Sequence, residues 1–563
     1  MRILFLTRSF NSLAQRLYLE LTALGHAVAV EFDIADSVTE EAVALFKPDL
    51  LIAPFLKRAI PESVWRALPC LIVHPGVAGD RGPSALDWAI LNGEPTWGVT
   101  VLQAVAEMDA GPVWATETFA MRAATKSSLY RQQVTAAAAR AVLRAVAHFE
   151  AHGATPPPAP QADPRGRWQP LMRQGDRAID WARDDTATVL RKLRAADGSP
   201  GVLDALFGVP CHLFDGHAQP LPVNGPPGEV MARRDHALLR ATVDGAVWIG
   251  RVRRVEPAGS LKLPATQAFA AEAVALPLWT ETATCDEIRL EIRGGVVALH
   301  FAFHNGAMGT AQCQRLQSAI GSALALPQPV LLLTGGPDFW SNGIHLNLIE
   351  AADSAADESG RNINAINDVT RCLIEASGKL VIAAMQGNAG AGGVFMALAA
   401  DEVWAWPGVV LNPHYKNMGN LHGSEYWTYL LPRRLRGGAT VHSVMGGRLP
   451  VAAAQACAWG LVDAVFGDGR GDFMDHAWQR AAVLACDPGL AARLAAKAAR
   501  RARDEAERPL QRYRDDELAR MRRNFYGFDP SYHIARSNFV RRVPPSWTPR
   551  HLARHRDPAP TGN

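Results

Sequence analysis

Cysteine is scarce and unpaired in this sequence. Its seven cysteines, Cys70, Cys211, Cys285, Cys313, Cys372, Cys457 and Cys486, are scattered without a Cys-x-x-Cys. That spacing argues against a zinc or iron–sulfur centre and against a disulfide framework; no metal is expected, and free thiols fit a reducing cytoplasm. Long apolar runs are missing too. No stretch of eighteen uncharged apolar residues occurs, so no membrane-spanning segment is expected. The opening Met-Arg-Ile-Leu-Phe-Leu-Thr-Arg is too short in its apolar part for a secretory signal and reads as a first strand. The loop after it, Thr7-Arg8-Ser9-Phe10-Asn11-Ser12, lacks Gly-x-Gly-x-x-Gly, which removes the main support for a dinucleotide site. No internal repeat is visible.

What is present is a chain of 563 residues, too long for one core and consistent with two to four domains. The formal charge of +3 hides an asymmetry, because Arg493 to Asp557 carries 17 basic against 8 acidic side chains. The acidic residues are interleaved, as in Arg503-Asp504-Glu505-Ala506-Glu507-Arg508, which favours a solvated helix face over a nucleic-acid surface. No nucleic acid or membrane partner is expected.

Strand and helix alternate at the start: Ile3 to Leu6, Ala27 to Phe32, Leu50 to Ala53 and Leu71 to Val73 read as strands, with a helix at Leu13 to Leu24. This predicts an α/β fold with a doubly wound parallel sheet over 1–150, its ligands at the carboxyl ends of the strands. Residues 151–167, with Thr-Pro-Pro-Pro-Ala-Pro, read as a stiff solvated linker. Over 168–275 a helix near Thr186 to Arg194 precedes the β-rich runs Leu238 to Val243 and Ala246 to Val252, as in a small OB-like barrel. Strands at Ile288 to Ile292, Val296 to Phe301, Val330 to Thr334 and Leu380 to Met385 open a second α/β region, 286–490. The remainder, 491–563, reads as a basic helical extension with a loose Pro-rich end.

The first chemical constellation follows the strand Leu71-Ile72-Val73. His74 and Pro75 come directly after it, then Arg81-Gly82-Pro83-Ser84 and, further on, Met108-Asp109-Ala110-Gly111. A histidine at a strand end with a carboxylate folding back over it is equipped to orient and move a proton at a carbonyl. The ordered set, with Ile179-Asp180-Trp181 and Arg191-Lys192-Leu193-Arg194-Ala195 beyond it, resembles the formyltetrahydrofolate-dependent formyltransferases over about the first 275 residues. That resemblance implies catalytic roles for His74 and Asp109. It places the family's catalytic Asn on Ile72, and loss of one oxyanion donor costs roughly 3 kcal/mol of transition-state stabilisation.

The second constellation is a pair of glycine-rich turns, Phe339-Trp340-Ser341-Asn342-Gly343-Ile344-His345 and Gly387-Asn388-Ala389-Gly390-Ala391-Gly392-Gly393-Val394-Phe395, the latter leading into a helix at Met396 to Ala400. Two such turns can aim backbone N–H groups at one thioester oxygen. With Gly446-Gly447-Arg448-Leu449-Pro450 and Trp459-Gly460-Leu461-Val462, they resemble the crotonase (enoyl-CoA hydratase/isomerase) superfamily. By that resemblance the oxyanion donors are the N–H groups of Asn342 and Gly392. The hydratase's two glutamates fall on Phe395 and Tyr415, so water addition is not expected. Glu425, among Tyr426, Trp427, Tyr429 and Leu430, supplies a carboxyl group expected to be desolvated, with its pKa raised.

Joined in one chain, and with Leu411-Asn412-Pro413-His414-Tyr415-Lys416 and Gly423-Ser424-Glu425-Tyr426-Trp427, the two halves resemble the HypX (HoxX) hydrogenase maturation family. The resemblance implies an enzyme that makes the carbon monoxide ligand of nickel–iron hydrogenase from 10-formyltetrahydrofolate through formyl-CoA. Tetrahydrofolate and coenzyme A are the implied cofactors, and hydrogenase maturation proteins further partners. Asn11, Gln15, Arg131 and Arg542, with Ile72 and Phe395, are the expected cofactor-contacting residues. Tyr415 and Glu425 are the expected base and positioning group, in either order. Hydrolysis of the formyl compounds, or a non-catalytic folate- and CoA-binding scaffold, remain the other readings.

Overall fold

Period-two alternation builds the first sheet. Leu4 and Leu6 point to the side of helix Asp36–Phe46, where they pack with Ala42, Phe46, Leu51 and Ala53. The computed structural model describes residues 1–280 and 284–557. The chain divides into two units, Met1–Cys285 with Pro544–Asn563, and Asp286–Val543.

In the first unit six strands, β1 (Arg2–Thr7), β2 (Ala27–Phe32), β3 (Leu50–Phe55), β4 (Cys70–His74), β5 (Thr96–Gln103) and β6 (Val113–Ala120), lie in the order β2-β1-β3-β4-β5-β6. The first four are parallel; β5 and β6 run antiparallel to their neighbours. Helix Ser12–Ala23 packs on Thr135–His152. Its N-terminus is fixed by Asn11, whose side chain accepts the Ala14 N–H at 3.0 Å, a cap worth about 1 kcal/mol.

The expected linker is solvated only in its first part. From Asp163 onward it lies along the sheet domain, where the Asp163 N–H donates to the Ala78 carbonyl and Arg165 reaches the Thr96 carbonyl at 2.6 Å. The small domain begins with helix Thr186–Ala196 and continues as an antiparallel sheet. Its strand order is Val202–Leu206, Val209–Ala218, Ala246–Arg254, Ala237–Ala241, Val230–Arg234.

The second unit carries a six-stranded sheet, in the order Ile288–Arg293, Val296–Phe301, Val330–Thr334, Leu380–Met385, Glu402–Ala405, Ala464–Val465; the pairs after the first are parallel. A smaller sheet, Phe339–Ser341, Asn388–Gly390, Val410–Asn412, Val451–Ala452, holds both glycine-rich turns.

The region expected to form one extension, 491–563, is divided. Helices Leu490–Glu507, Leu510–Tyr526 and Ser531–Arg541 belong to the second unit. Residues 544–557 belong to the first and are not loose. The Val30 N–H donates to the Leu552 carbonyl at 3.0 Å, and the fully buried Glu31 accepts from Thr548, from His555 at 2.8 Å and from Arg556 at 2.9 Å. The final residues, 558–563, lie outside the described ones.

Candidate active sites

β4 delivers His74 to the carboxyl edge of the first sheet. The loop after it is tied down by Trp97, donating to the Pro75 carbonyl at 2.9 Å, and by Thr100, donating to the Gly76 carbonyl at 2.9 Å. The chain then returns Asp80 to the imidazole, with His74 Nε2 2.8 Å from Asp80 Oδ2. Gly76 makes room for this pair: a Cβ there would stand 2.4 Å from His74 Nε2 and 2.5 Å from Asp80 Oδ2. On the other side His74 Nδ1 lies 3.6 Å from Asp109 Oδ2, which accepts the Gly82 N–H at 3.0 Å. Asp109 has left-handed backbone, φ 52°.

The imidazole is thus bracketed by two carboxyl groups. Burial pushes the Asp80 carboxyl up from its ordinary pKa, and Asp109 adds to this, while the hydrogen bond from His74 opposes it. Asp80 Oδ1 has no hydrogen-bond partner among the described residues. His74 and Asp109 are therefore together, as their motif implied, and Asp80 joins them. Sequence reading missed Asp80, although Pro75, Gly76 and Gly79 between it and His74 mark a loop able to fold back. Ile72 shares a face of β4 with His74 and is half-buried, so an alkyl group stands where the formyltransferase pattern has an amide.

Asn11, Gln15 and Arg131 occupy the first unit, Arg542 the second. Asn11 caps its helix and its side chain also bonds Tyr130, the residue before Arg131, in a π-helical turn Tyr130–Val134. Gln15 donates to the Phe10 carbonyl at 2.9 Å. Arg542 is exposed, at the left-handed C-cap of helix Ser531–Arg541.

The second site is built from buried side chains, Phe395, Tyr415 and Glu425. Phe395 is fully buried on helix Gly392–Leu398, which begins at Gly392 rather than at the expected Met396. Its ring stacks on Tyr415, centroids 5.6 Å apart and planes 14° apart. Tyr415 donates to Glu425 Oε2 at 2.6 Å. The Glu425 carboxyl lies against the helix start: a Cβ on Gly392 would be 2.1 Å from its Oε1. Gly423 is needed in the same way, since a Cβ there would meet the Tyr415 ring at 2.0 Å. Burial pushes the Glu425 carboxyl up to about 7, against the Tyr415 hydrogen bond, with Glu517 raising it further. Burial and the neighbouring Glu425 also push the Tyr415 phenol well above its ordinary value.

Asn342 requires a correction. Its N–H, expected to be an oxyanion donor, donates to the Gly306 carbonyl at 2.7 Å, and its side chain donates to the Asn305 carbonyl. Gly392 begins a helix, so its N–H has no partner within that helix. Two residues that sequence reading missed, Asn367 and Glu517, hold the Glu425 turn. Asn367 Oδ1 accepts the Glu425 N–H at 2.8 Å, and Glu517 accepts the Tyr426 N–H at 2.9 Å. Among the described residues no cluster suited to a metal ion occurs.

Comparison with known proteins finds family matches over the regions that carry both sites. A formyl transferase family matches residues 28–146, a formyl transferase C-terminal domain 171–271, and an enoyl-CoA hydratase/isomerase family 328–548. The methionyl-tRNA formyltransferase of Syntrophus aciditrophicus is 27% identical over 39% of this chain and 70% of its own length. The hydrogenase maturation factor HoxX of Bradyrhizobium diazoefficiens is 57% identical over 99% of this chain and 97% of that protein. The crystal structure of HypX from Aquifex aeolicus in complex with tetrahydrofolic acid superposes with a TM-score of 0.94, at 47% identity, over 99% of both chains. With 57% identity over 99% of its length, the chain belongs to the HypX/HoxX family of hydrogenase maturation factors.

Proposed function

We propose that the chain moves a formyl group from 10-formyltetrahydrofolate to coenzyme A and then releases it as carbon monoxide. The first step uses the His74 site. His74 contacts the formyl oxygen, while Asp109, with Asp80 behind the imidazole, sets protonation as the folate nitrogen leaves. The His74–Asp80 and His74–Asp109 approaches support this, as does the tetrahydrofolic acid held by the Aquifex aeolicus relative. Asn11, Gln15 and Arg131, all in the first unit, are proposed to hold the coenzyme's polar end.

The second step uses the buried pair. Glu425 takes the formyl proton and the C–H electron pair stays on carbon. The C–S bond breaks with its pair on sulfur, and carbon monoxide leaves. The thiolate then recovers a proton, from Glu425 or through Tyr415, so formyl-CoA gives carbon monoxide and CoA with no net redox change. The carbonyl oxygen faces the Gly392 N–H, and Phe395 keeps water from the carbon.

One observation carries the reading: Glu425, 1% exposed and pushed up to about 7, donor-bonded by Tyr415 in a site without the hydratase glutamates. Such a group is half-ionised near neutrality and suits proton abstraction. Purified protein supplied with 10-formyltetrahydrofolate and CoA is expected to consume the folate and release carbon monoxide. Formate as the product would mean a hydrolase, and unchanged substrates a binding scaffold; either overturns the proposal.

A further inference from the structure

Two consecutive non-glycine residues at the second site, Glu425 at φ 60° and Tyr426 at φ 58°, are left-handed. Such backbone is disfavoured for L residues and persists where surrounding bonds over-determine it. The bonds here converge on one side chain. Glu517, fully buried on helix Leu510–Tyr526, accepts the Tyr426 N–H (2.9 Å), the Thr428 N–H (2.9 Å), the Thr428 hydroxyl (2.6 Å) and the Ser424 hydroxyl (3.3 Å). Asn367 completes the frame through Ser424 and the Glu425 N–H. No lysine or arginine forms an ion pair with Glu517 among the described residues, so a carboxyl group is buried for the sake of four donors, all on the turn that carries Glu425.

We propose that Glu517 is a positioning residue for the decarbonylation chemistry, anchoring the Ser424–Thr428 turn so that the Glu425 carboxyl group lies against Gly392 and Tyr415. The inference rests on the role proposed for Glu425. It also assigns a task to the basic helical segment, whose Glu517 holds the turn that carries Glu425.

Glu517 acts on Glu425 in a second way, as a buried carboxyl group on the same turn whose charge opposes ionisation of Glu425. The titratable and charged groups facing the turn are Tyr415 from its own loop, Asp368 and Arg371 from helix Ala355–Glu375, Cys313 from helix Thr310–Ala325, and Glu517 and Arg514 from helix Leu510–Tyr526. Arg514 is engaged by Asp368 and Asn364, and Arg371 by Glu375. Burial pushes Glu517 itself up to about 7, against the donors from Thr428, Tyr426 and Ser424.

The test uses the full chain with formyl-CoA. In Glu517→Gln, kcat is expected to fall at least about tenfold while KM changes less than about twofold, because the turn and not the CoA site is disturbed. The acid limb of kcat is expected to move to lower pH, since the like charge is gone. The infrared band of the protonated Glu425 carboxyl, assigned by its loss in Glu425→Gln, is expected to move with it. A merely structural role changes the amount of folded protein and leaves both titrations in place. Thr428→Val, which removes one donor to Glu517, is expected to shift both the same way by less, and keeps the test decisive if Glu517→Gln does not fold. Titrations and kcat unchanged in whichever variant folds would overturn the proposal. A wild type that releases no carbon monoxide sinks the functional reading instead, and the infrared titration still decides the role of Glu517.

Discussion

The two sites use the same functional group under opposite conditions. At the first, an imidazole stands between two carboxyl groups, 2.8 Å from Asp80 and 3.6 Å from Asp109. A proton shared there always has a basic nitrogen within reach. At the second, Glu425 has a phenol and another buried carboxyl group for neighbours, and its frame is made of neutral amides and hydroxyls. Without a counter-ion, burial decides, and the carboxyl group keeps its proton to near neutrality. The two sites thus differ in what faces the carboxyl groups: an imidazole at the first, a phenol and a second carboxyl group at the second. In the proposed reactions the first serves proton relay beside the leaving folate nitrogen, and the second the removal of the formyl proton.

Breaking the second site should have the largest effect. Glu425→Gln is expected to lower formyl-CoA turnover by about 10³-fold, within the range for a lost general base, and to leave formyl transfer from folate intact. Carbon monoxide trapped by a reduced haem protein measures it. Tyr415→Phe keeps the ring on Phe395 and removes the 2.6 Å hydrogen bond, so a smaller loss, roughly 10²-fold, is expected in the same assay. Breaking the first site should show the reverse pattern. Asp80→Asn is expected to slow folate-dependent transfer roughly 10²-fold, with formyl-CoA cleavage unchanged. Equal losses in both assays would erase the distinction between the sites.

Much of this was legible in the sequence, and the failures share a cause. His74, Asp109, Tyr415, Glu425 and Gly392 sit in ordered local motifs, and the structure places the first two together and the last three together. Asp80 needed the path of a loop, and Glu517, 91 positions beyond Tyr426, needed the packing of a helix that read only as a basic solvated face. The donor assigned to Asn342 was lost to the Gly306 carbonyl, a backbone pairing set by tertiary register. The described part of the tail that composition marked as loose, 544–557, is held by Glu31, a glutamate inside an otherwise apolar strand. Local pattern singled out the groups proposed to react; Asn367 and Glu517, which hold the Glu425 turn, come from elsewhere in the chain.

Stability against pH sharpens the comparison by a smaller effect, and its sign differs between carboxyl groups. Glu425 and Glu517 have folded-state values near 7, above the ordinary carboxylate range. Their contribution is therefore fully present at acidic pH and lost as pH rises from the unfolded value to about 7. Glu31 is opposite: burial raises its pKa, but bonds from His555, Thr548 and Arg556 outweigh that and lower it. Its contribution is present above the unfolded value and lost as pH falls through the lowered one. Denaturant titrations across this range should show Glu425→Gln flattening the loss toward neutral pH and Glu31→Gln flattening the loss in acid. Smallest of all, Thr548→Ala is expected to cost about 1–2 kcal/mol in the first unit, with both activities unchanged.

The most direct measurement follows the carbon itself. Purified protein is given formyl-CoA labelled with carbon-13 in the formyl group, and gas and solution are assayed together. The expected result is labelled carbon monoxide, equal in amount to the CoA released, from the wild type and not from Glu425→Gln. Labelled formate from the wild type, or carbon monoxide from Glu425→Gln at the wild-type rate, would contradict the role given to the buried carboxyl group.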